Sequence, residues 1–253
     1  MNDTEGVALQ FEQVTVRYRR RVVLDALDWS VPTRRVTVLL GANGSGKSTL
    51  LRLCIGAQHA RAGRVRVLGF DPVTQRDAVL RSVGYVPDRA DAPGSWTLEE
   101  LLRFARAHHA TWDDARAESW IDALRVPRRA KLRTMSKGES TKAMLVVATA
   151  FRPRLLLLDE PFGGLDPHAR EDVLRALLND LAEDGTGIVC STHELDFARR
   201  FADDVAVLAR GRITVGAVES EAGEGEGDGD GDGANGNPLR AAFDRAQRQE
   251  VHA

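Results

Sequence analysis

The sequence predicts an α/β fold: a buried parallel sheet around a phosphate-binding loop, with antiparallel strands before it and a helical segment inserted. Three observations carry this. A glycine-rich loop follows the apolar run Val36–Leu40. A second apolar run, Leu155–Leu158, ends in the carboxylates Asp159 and Glu160. Between the two, Thr97…Glu100 and Ser136…Glu139 each have the S/T-x-x-E spacing of a capping box, so helices are predicted to begin there.

Taken in order, Phe11–Val16 has a partial alternation and Val22–Val31 mixes apolar and polar positions, the pattern of half-buried antiparallel strands. Val36–Leu40 is continuously apolar, as in a central strand buried on both faces. Gly41-Ala42-Asn43-Gly44-Ser45-Gly46-Lys47-Ser48-Thr49 then fits G-x-x-x-x-G-K-[ST] and runs into Leu50, Leu51, Leu53 and Ile55, which read as a helix start. Glycines let the backbone wrap a phosphate without side-chain clash. A helix N-terminus directs unpaired N–H groups and partial positive charge at the anion. Lys47 is expected at the β- and γ-phosphates of a nucleoside triphosphate, and Ser48 on Mg²⁺. Every residue from Gly41 to Thr49 is expected to line the nucleotide.

The helical segment is predicted over about residues 88–152. It contains a helix capped by Thr97 with Leu101, Leu102 and Ala105 on one face, a helix to Leu124 starting after Asp113 or Asp114, and a helix capped by Ser136 that carries the apolar stretch Ala143–Phe151. Leu155–Leu158 reads as a further central strand. Asp159 at its end is placed to hold Mg²⁺ through water, and Glu160 to polarise an attacking water as general base. Taken alone, the run could equally be a core strand meeting a solvated acidic turn; the upstream phosphate loop favours the catalytic reading.

Composition excludes several classes. The chain has 253 residues, 43% of them apolar, and a net charge of −2, as expected of a globular protein with a sizeable core. No apolar run reaches the length of a membrane span, and Met1–Glu5 is polar and acidic, unlike a signal peptide, so a cytoplasmic location is expected. Cys54 and Cys190 lie in apolar segments, as small core residues do. Four lysines stand among 35 basic residues, with no clustered basic stripe, and no nucleic-acid partner is expected. Residues 219–237 form a linker rich in Gly, Asp and Glu, with seven acidic residues between Glu219 and Asp232 and no compensating base, a composition of disorder. Residues 238–253 carry Leu239, Ala242, Phe243 and Ala246 at helical spacing. The folded nucleotide-binding unit is expected to span residues 1–218.

Met135-Ser136-Lys137-Gly138-Glu139 resembles the signature motif of the ATP-binding cassette (ABC) family, usually L-S-G-G-Q, with Lys137 in place of the first glycine and Glu139 in place of the glutamine. The S-K-G form resembles cassettes of ABC-2-type bacterial exporters. Other family elements follow in order along 7–215. Tyr18 stands where the family stacks an aromatic on adenine. Gly163-Gly164-Leu165-Asp166 resembles the D-loop. His193, after Cys190-Ser191-Thr192, resembles the switch histidine that contacts the γ-phosphate. One element departs: after Val83-Gly84-Tyr85-Val86-Pro87, Asp88 occupies the place of the Q-loop glutamine. A carboxylate only accepts hydrogen bonds, and Asp88 is expected near Mg²⁺, directly or through water.

The resemblance implies the ABC ATPase fold, a P-loop core with an antiparallel β-subdomain and a helical signature subdomain. It implies an ATP-hydrolysing transporter subunit with ATP and Mg²⁺ as cofactors. The partners implied are a separate transmembrane permease and a second cassette, closing head to tail so that Ser136, Gly138, Glu139 and Asp166 of one chain meet the nucleotide of the other. The chain would then sit on the inner face of the cell membrane through the permease, and the loop near Asp88–Trp96 would be its docking surface. Two rival readings are a non-transport ABC ATPase acting on nucleic acid or ribosomes, and a regulatory module that binds ATP but hydrolyses it weakly. The first usually shows paired cassettes, a long coiled-coil insertion or zinc-binding cysteines; the second is motivated by Asp88 and opposed by Glu160 and His193.

Overall fold

A computed structural model of the chain describes residues 6–217. The expectations for 219–237 and 238–253 lie outside the described residues. Two sheets form the frame. In the first, β1 (Val7–Tyr18) and β2 (Arg21–Pro32) make a long antiparallel hairpin, and β4 (Ala62–Val67) pairs antiparallel with the other edge of β1. The second sheet contains β3 (Val36–Leu40), β5 (Val83–Val86), β6 (Leu155–Asp159), β7 (Gly187–Thr192), β8 (Asp204–Ala209) and β9 (Arg212–Ala217). Its order is β5-β6-β7-β3-β8-β9, parallel except for the β8–β9 pair.

Strand alternation divides the core into two layers. Val36, Val38, Leu40, Leu156, Leu158, Ile188 and Cys190 face one side of the six-stranded sheet. Leu39, Leu155, Leu157 and Val189 face the other. On that second side lie the three-stranded sheet, helix α1 (Lys47–Cys54), through Leu50, Leu51, Leu53 and Cys54, and α2 (Arg76–Ser82), through Val79. On the first side lie α3 (Leu98–Arg106), α4 (Asp114–Leu124), α5 (Lys137–Thr149), α6 (Pro167–Asp184) and α7 (Leu195–Phe201). Both faces of the sheet are covered, which is why its central strands read as unbroken apolar runs.

Both capping boxes are present, at Thr97/Glu100 and Ser136/Glu139, and Asp113 caps α4 by accepting from the Arg116 N–H. The Arg116 side chain is buried and ties the helical segment to the core: its guanidinium pairs with Asp180 at 2.5 Å and Asp184 at 2.7 Å, and Nε donates to the Thr149 carbonyl. Arg152 joins Asp184 to Asp113. Burial pushes the Asp180 carboxyl up to about 6, an effect that Arg116 offsets only in part. Cys54 and Cys190 are both free and buried. Among the described residues, no helix is long and apolar enough to cross a membrane.

The parallel strands β3, β6 and β7 are neighbours and end at the same edge of the sheet. Gly41, Glu160 and His193 therefore leave the sheet side by side, at the carboxyl edge where open α/β sheets bind ligands.

Candidate active site

The loop after β3 is shaped by two glycines in particular. Gly46 sits at φ 112°, and a Cβ there would lie 2.9 Å from Val23 Cγ1; a Cβ on Gly41 would lie 2.7 Å from the Leu208 carbonyl oxygen. The Gly41 N–H donates to the Thr192 carbonyl and the Ser45 N–H to that of Ala42, closing the loop over the edge of β7. Gly46 provides no side-chain cap to α1, and no acidic residue occupies the first turn. The first N–H groups of α1 thus meet no competing side-chain acceptor from a cap, as an anion cradle requires. Ser48 and Thr49 follow in that first turn.

Lys47 folds back over the loop. Its ammonium donates to the carbonyls of Gly41 at 2.6 Å and Ala42 at 3.1 Å. It also stands 3.1 Å from Glu160 Oε1, at ion-pair distance but not aligned as a hydrogen bond. The second Glu160 oxygen, Oε2, is 3.1 Å from His193 Nδ1. Glu160 is therefore held between Lys47, which is 5% exposed, and His193, which is 47% exposed.

Asp159 is fully buried. Its Oδ1 accepts from Ser191 Oγ at 2.8 Å, whereas its Oδ2 is buried with no hydrogen-bond partner among the described residues. Buried carboxylate oxygens are seldom left so. A hard cation with oxygen ligands would satisfy this one, so the donor set fits Mg²⁺. Glu160 has φ 50°, in the left-handed region that side chains rarely occupy, and its N–H donates to both the carbonyl and the hydroxyl of Ser191. Local strain of this kind persists only where neighbours enforce it. One hydroxyl thus braces Asp159 and Glu160 together. Sequence reasoning missed Ser191, whose only signal was its place at the end of an apolar strand two residues before His193.

The remaining expected residues lie in two other groups. Tyr18 pairs across the hairpin with Arg21, whose guanidinium reaches the Gly44 carbonyl at 3.3 Å, and its hydroxyl donates to Gln58 Oε1. Tyr18 is 44% exposed. Ser136, Gly138 and Glu139 form the N-terminus of α5. The Ser136 hydroxyl accepts from the Glu139 N–H, and the Glu139 carboxylate accepts from the Ser136 N–H, which holds the Glu139 carboxyl below the usual glutamate range. Gly138 is pressed on the turn after Glu160: a Cβ there would lie 2.9 Å from Leu165 Cδ2 and 3.0 Å from the Gly164 carbonyl. Asp166 caps α6 by accepting from the Ala169 N–H, its carboxyl lowered by that bond. Asp88 is 2.5 Å from Lys137 Nζ.

Residues 24–163 match the family model described as ABC transporter. The chain belongs to the ABC transporter family. Its cassette is similar to the Nod factor export ATP-binding protein I of Mesorhizobium japonicum, 35% identical over 81% of this chain and 62% of that protein. It is also similar to the Fe(3+) ions import ATP-binding protein FbpC of Yersinia pestis, 31% identical over 81% of this chain and 60% of that protein. The daunorubicin/doxorubicin resistance ATP-binding protein DrrA of Streptomyces peucetius is 32% identical over 88% of this chain and 70% of that protein. The chain thus spans about six-tenths of the length of the first two. A solved ATP-binding subunit of an ABC transporter superposes with a TM-score of 0.76, 29% identical over 83% of this chain and 90% of that one. A dimeric, post-hydrolysis cassette, MJ0796 bound to ADP and Pi, superposes at 0.75 with 19% identity over 83% of this chain and 98% of that one, a likeness of fold. The family's fold is the ABC ATPase fold expected from the sequence.

Proposed function

We propose that this chain binds and hydrolyses ATP as the cassette subunit of an ABC transporter, driving a separate membrane permease at the inner face of the membrane. The carrying observation is the convergence of Lys47, Glu160 and His193 beside the unpartnered oxygen of buried Asp159. Three charged or titratable groups and an open metal-ligating oxygen at one sheet edge are what phosphoryl transfer to water needs.

Lys47 is engaged by two carbonyls and Glu160. A triphosphate entering the loop offers stronger, charge-assisted acceptors, so Lys47 turns to the β- and γ-phosphates and releases Glu160. Glu160, its carboxylate oriented by His193, then accepts a proton from the attacking water. His193 meets the γ-phosphate. Ser48 and Asp159 would hold Mg²⁺, which would supply neutralisation of phosphate charge. Tyr18 stacks on the base. Ser136, Gly138, Glu139 and Asp166 complete the site on a second cassette, so ATP closes a head-to-tail dimer and hydrolysis reopens it. Export is the direction we favour. Nod factor export proteins and a drug-resistance protein are among the relatives, and the S-K-G signature agrees, although an iron importer matches at 31% identity.

Steady-state hydrolysis of ATP with Mg²⁺ tests this reading. Glu160→Gln should keep ATP binding and lose about 10²–10⁴-fold in kcat. Turnover near that of the unaltered chain would remove Glu160 from the mechanism.

A further inference from the structure

Two of the places where the chain departs from the family's residue pattern, Asp88 and Lys137, meet in space. They are 49 positions apart in sequence, and Lys137 Nζ is 2.5 Å from Asp88 Oδ1. Lys137 is the first residue of α5. The helix dipole disfavours a cation in a first turn, so helix stability does not account for it. Asp88 provides the countercharge. It lies two residues beyond β5, as Glu160 lies two beyond Leu158 of the adjacent, parallel β6, where Val86 pairs with Leu158.

The lysine stem rests on the turn that starts at Glu160. A Cβ on Gly164 would lie 3.4 Å from Lys137 Cβ and Cδ, and a Cβ on Gly163 would lie 3.0 Å from Lys137 Nζ. That turn is closed by the Gly163 N–H donating to the Glu160 carbonyl. It carries Glu160 in its left-handed conformation. Gly138, next in the helix, packs closely on Gly164 and Leu165, where a Cβ would be tight. Three segments therefore converge: the loop after β5, the start of α5, and the turn of the proposed base.

We propose that Asp88 and Lys137 are a positioning pair for hydrolysis, fixing the Glu160 turn against α5 and the loop after β5. The pair is reciprocal: each residue acts through the other, and neither touches the nucleotide. This rests on the reading of Glu160 as the base. Both side chains are about half exposed, at 40% and 45%, so a modest effect is expected.

The test is a double-mutant cycle in the full chain: Asp88→Asn, Lys137→Met, which keeps the stem and drops the charge, and the two combined. Each single change should lower kcat by roughly two- to fivefold with the KM for ATP unchanged. The double change should be no slower than the slower single. Lys137→Arg, which restores the charge, should recover most of the rate. Multiplied losses in the double variant, or a harmless Lys137→Met, overturn the pair. Weakened Mg²⁺ binding in Asp88→Asn but not in Lys137→Met also overturns it and makes Asp88 a metal ligand. Glu160→Gln runs alongside. If the unaltered chain is no faster than Glu160→Gln, the catalytic reading has failed. The same cycle in urea unfolding then judges the pair, and additive shifts there overturn it.

Discussion

The carboxyl edge of β3, β6 and β7 and the N-terminus of α5, the two halves of the proposed site, are built in opposite ways. At the sheet edge, Lys47, Asp159 and Ser191 are buried, and Lys47, Glu160 and His193 hold one another. The start of α5 has Ser136, Lys137 and Glu139 exposed, its polar groups satisfied by its own capping box and by Asp88. On the proposed function, the first is an almost complete reaction site in which Lys47 and Glu160 pair until a phosphate separates them. The second is an exposed helix start whose Lys137 stem packs on the Glu160 turn of its own chain and whose outer face is open. That contrast is what the proposed site shared between two copies calls for: one half supplying chemistry, the other a rigid face.

Breaking the sheet-edge half should give the largest effects. Lys47→Ala removes the cation that binds phosphate and leaves Glu160 without its ion pair. ATP affinity measured by calorimetry should fall by about 10–100-fold, the worth of charge-assisted hydrogen bonds. An unchanged Kd would place the phosphates elsewhere. Ser191→Ala comes next. It strips a buried donor from Asp159 and an acceptor from the Glu160 N–H, and should cost about 1–3 kcal/mol in urea unfolding. It should also reduce kcat, while Ser191→Thr retains most of both. Equal loss in the Ala and Thr variants would mean that packing, rather than the hydroxyl, matters at that position.

The sheet edge was the more legible of the two regions, for a local reason. Val36–Leu40, the glycine loop and Leu155–Glu160 each state their structure within a few consecutive residues, because a strand buried on both faces cannot hide its apolarity. The capping boxes at Thr97 and Ser136 are equally local. What escaped depends on distant partners. β4 contains Arg64 and Arg66 and is mostly exposed, and it is a strand only because β1 pairs with it. The hairpin strands extend past the expected 11–16 and 22–31 because their ends pair with each other. The helices α6 and α7 and the strands β8 and β9 were not anticipated. Ser191 and the Arg116–Asp180–Asp184 network became visible only when strands and helices far apart in sequence were brought together. The Asp88–Lys137 contact shows the same limit, since nothing local in the sequence links two residues 49 positions apart.

The α5 half should respond more gently. The Glu139 carboxyl is held low mainly by the Ser136 N–H. A carboxyl with a lowered folded-state pKa adds stability that is full above its unfolded pKa and fades as pH falls through the folded value. Glu139→Gln should therefore cost a little stability at neutral pH, where the carboxylate's contribution is full, and flatten the acid limb of a stability–pH curve below the usual glutamate range. A variant that unfolds in acid like the unaltered chain would show that this half of the box contributes nothing.

The central claim is that the exposed face of α5 completes the buried edge of another copy. Size-exclusion chromatography of the Glu160→Gln chain with and without ATP tests it most directly, with Ser136→Asp added as the control. Aspartate caps a helix as well as serine does, but it sets a carboxylate where a phosphate must approach. The account expects a dimer with ATP, a monomer without it, and a monomer again when Ser136→Asp is added although ATP still binds. A Glu160→Gln chain that binds ATP and stays monomeric, or a dimer indifferent to Ser136→Asp, would contradict it.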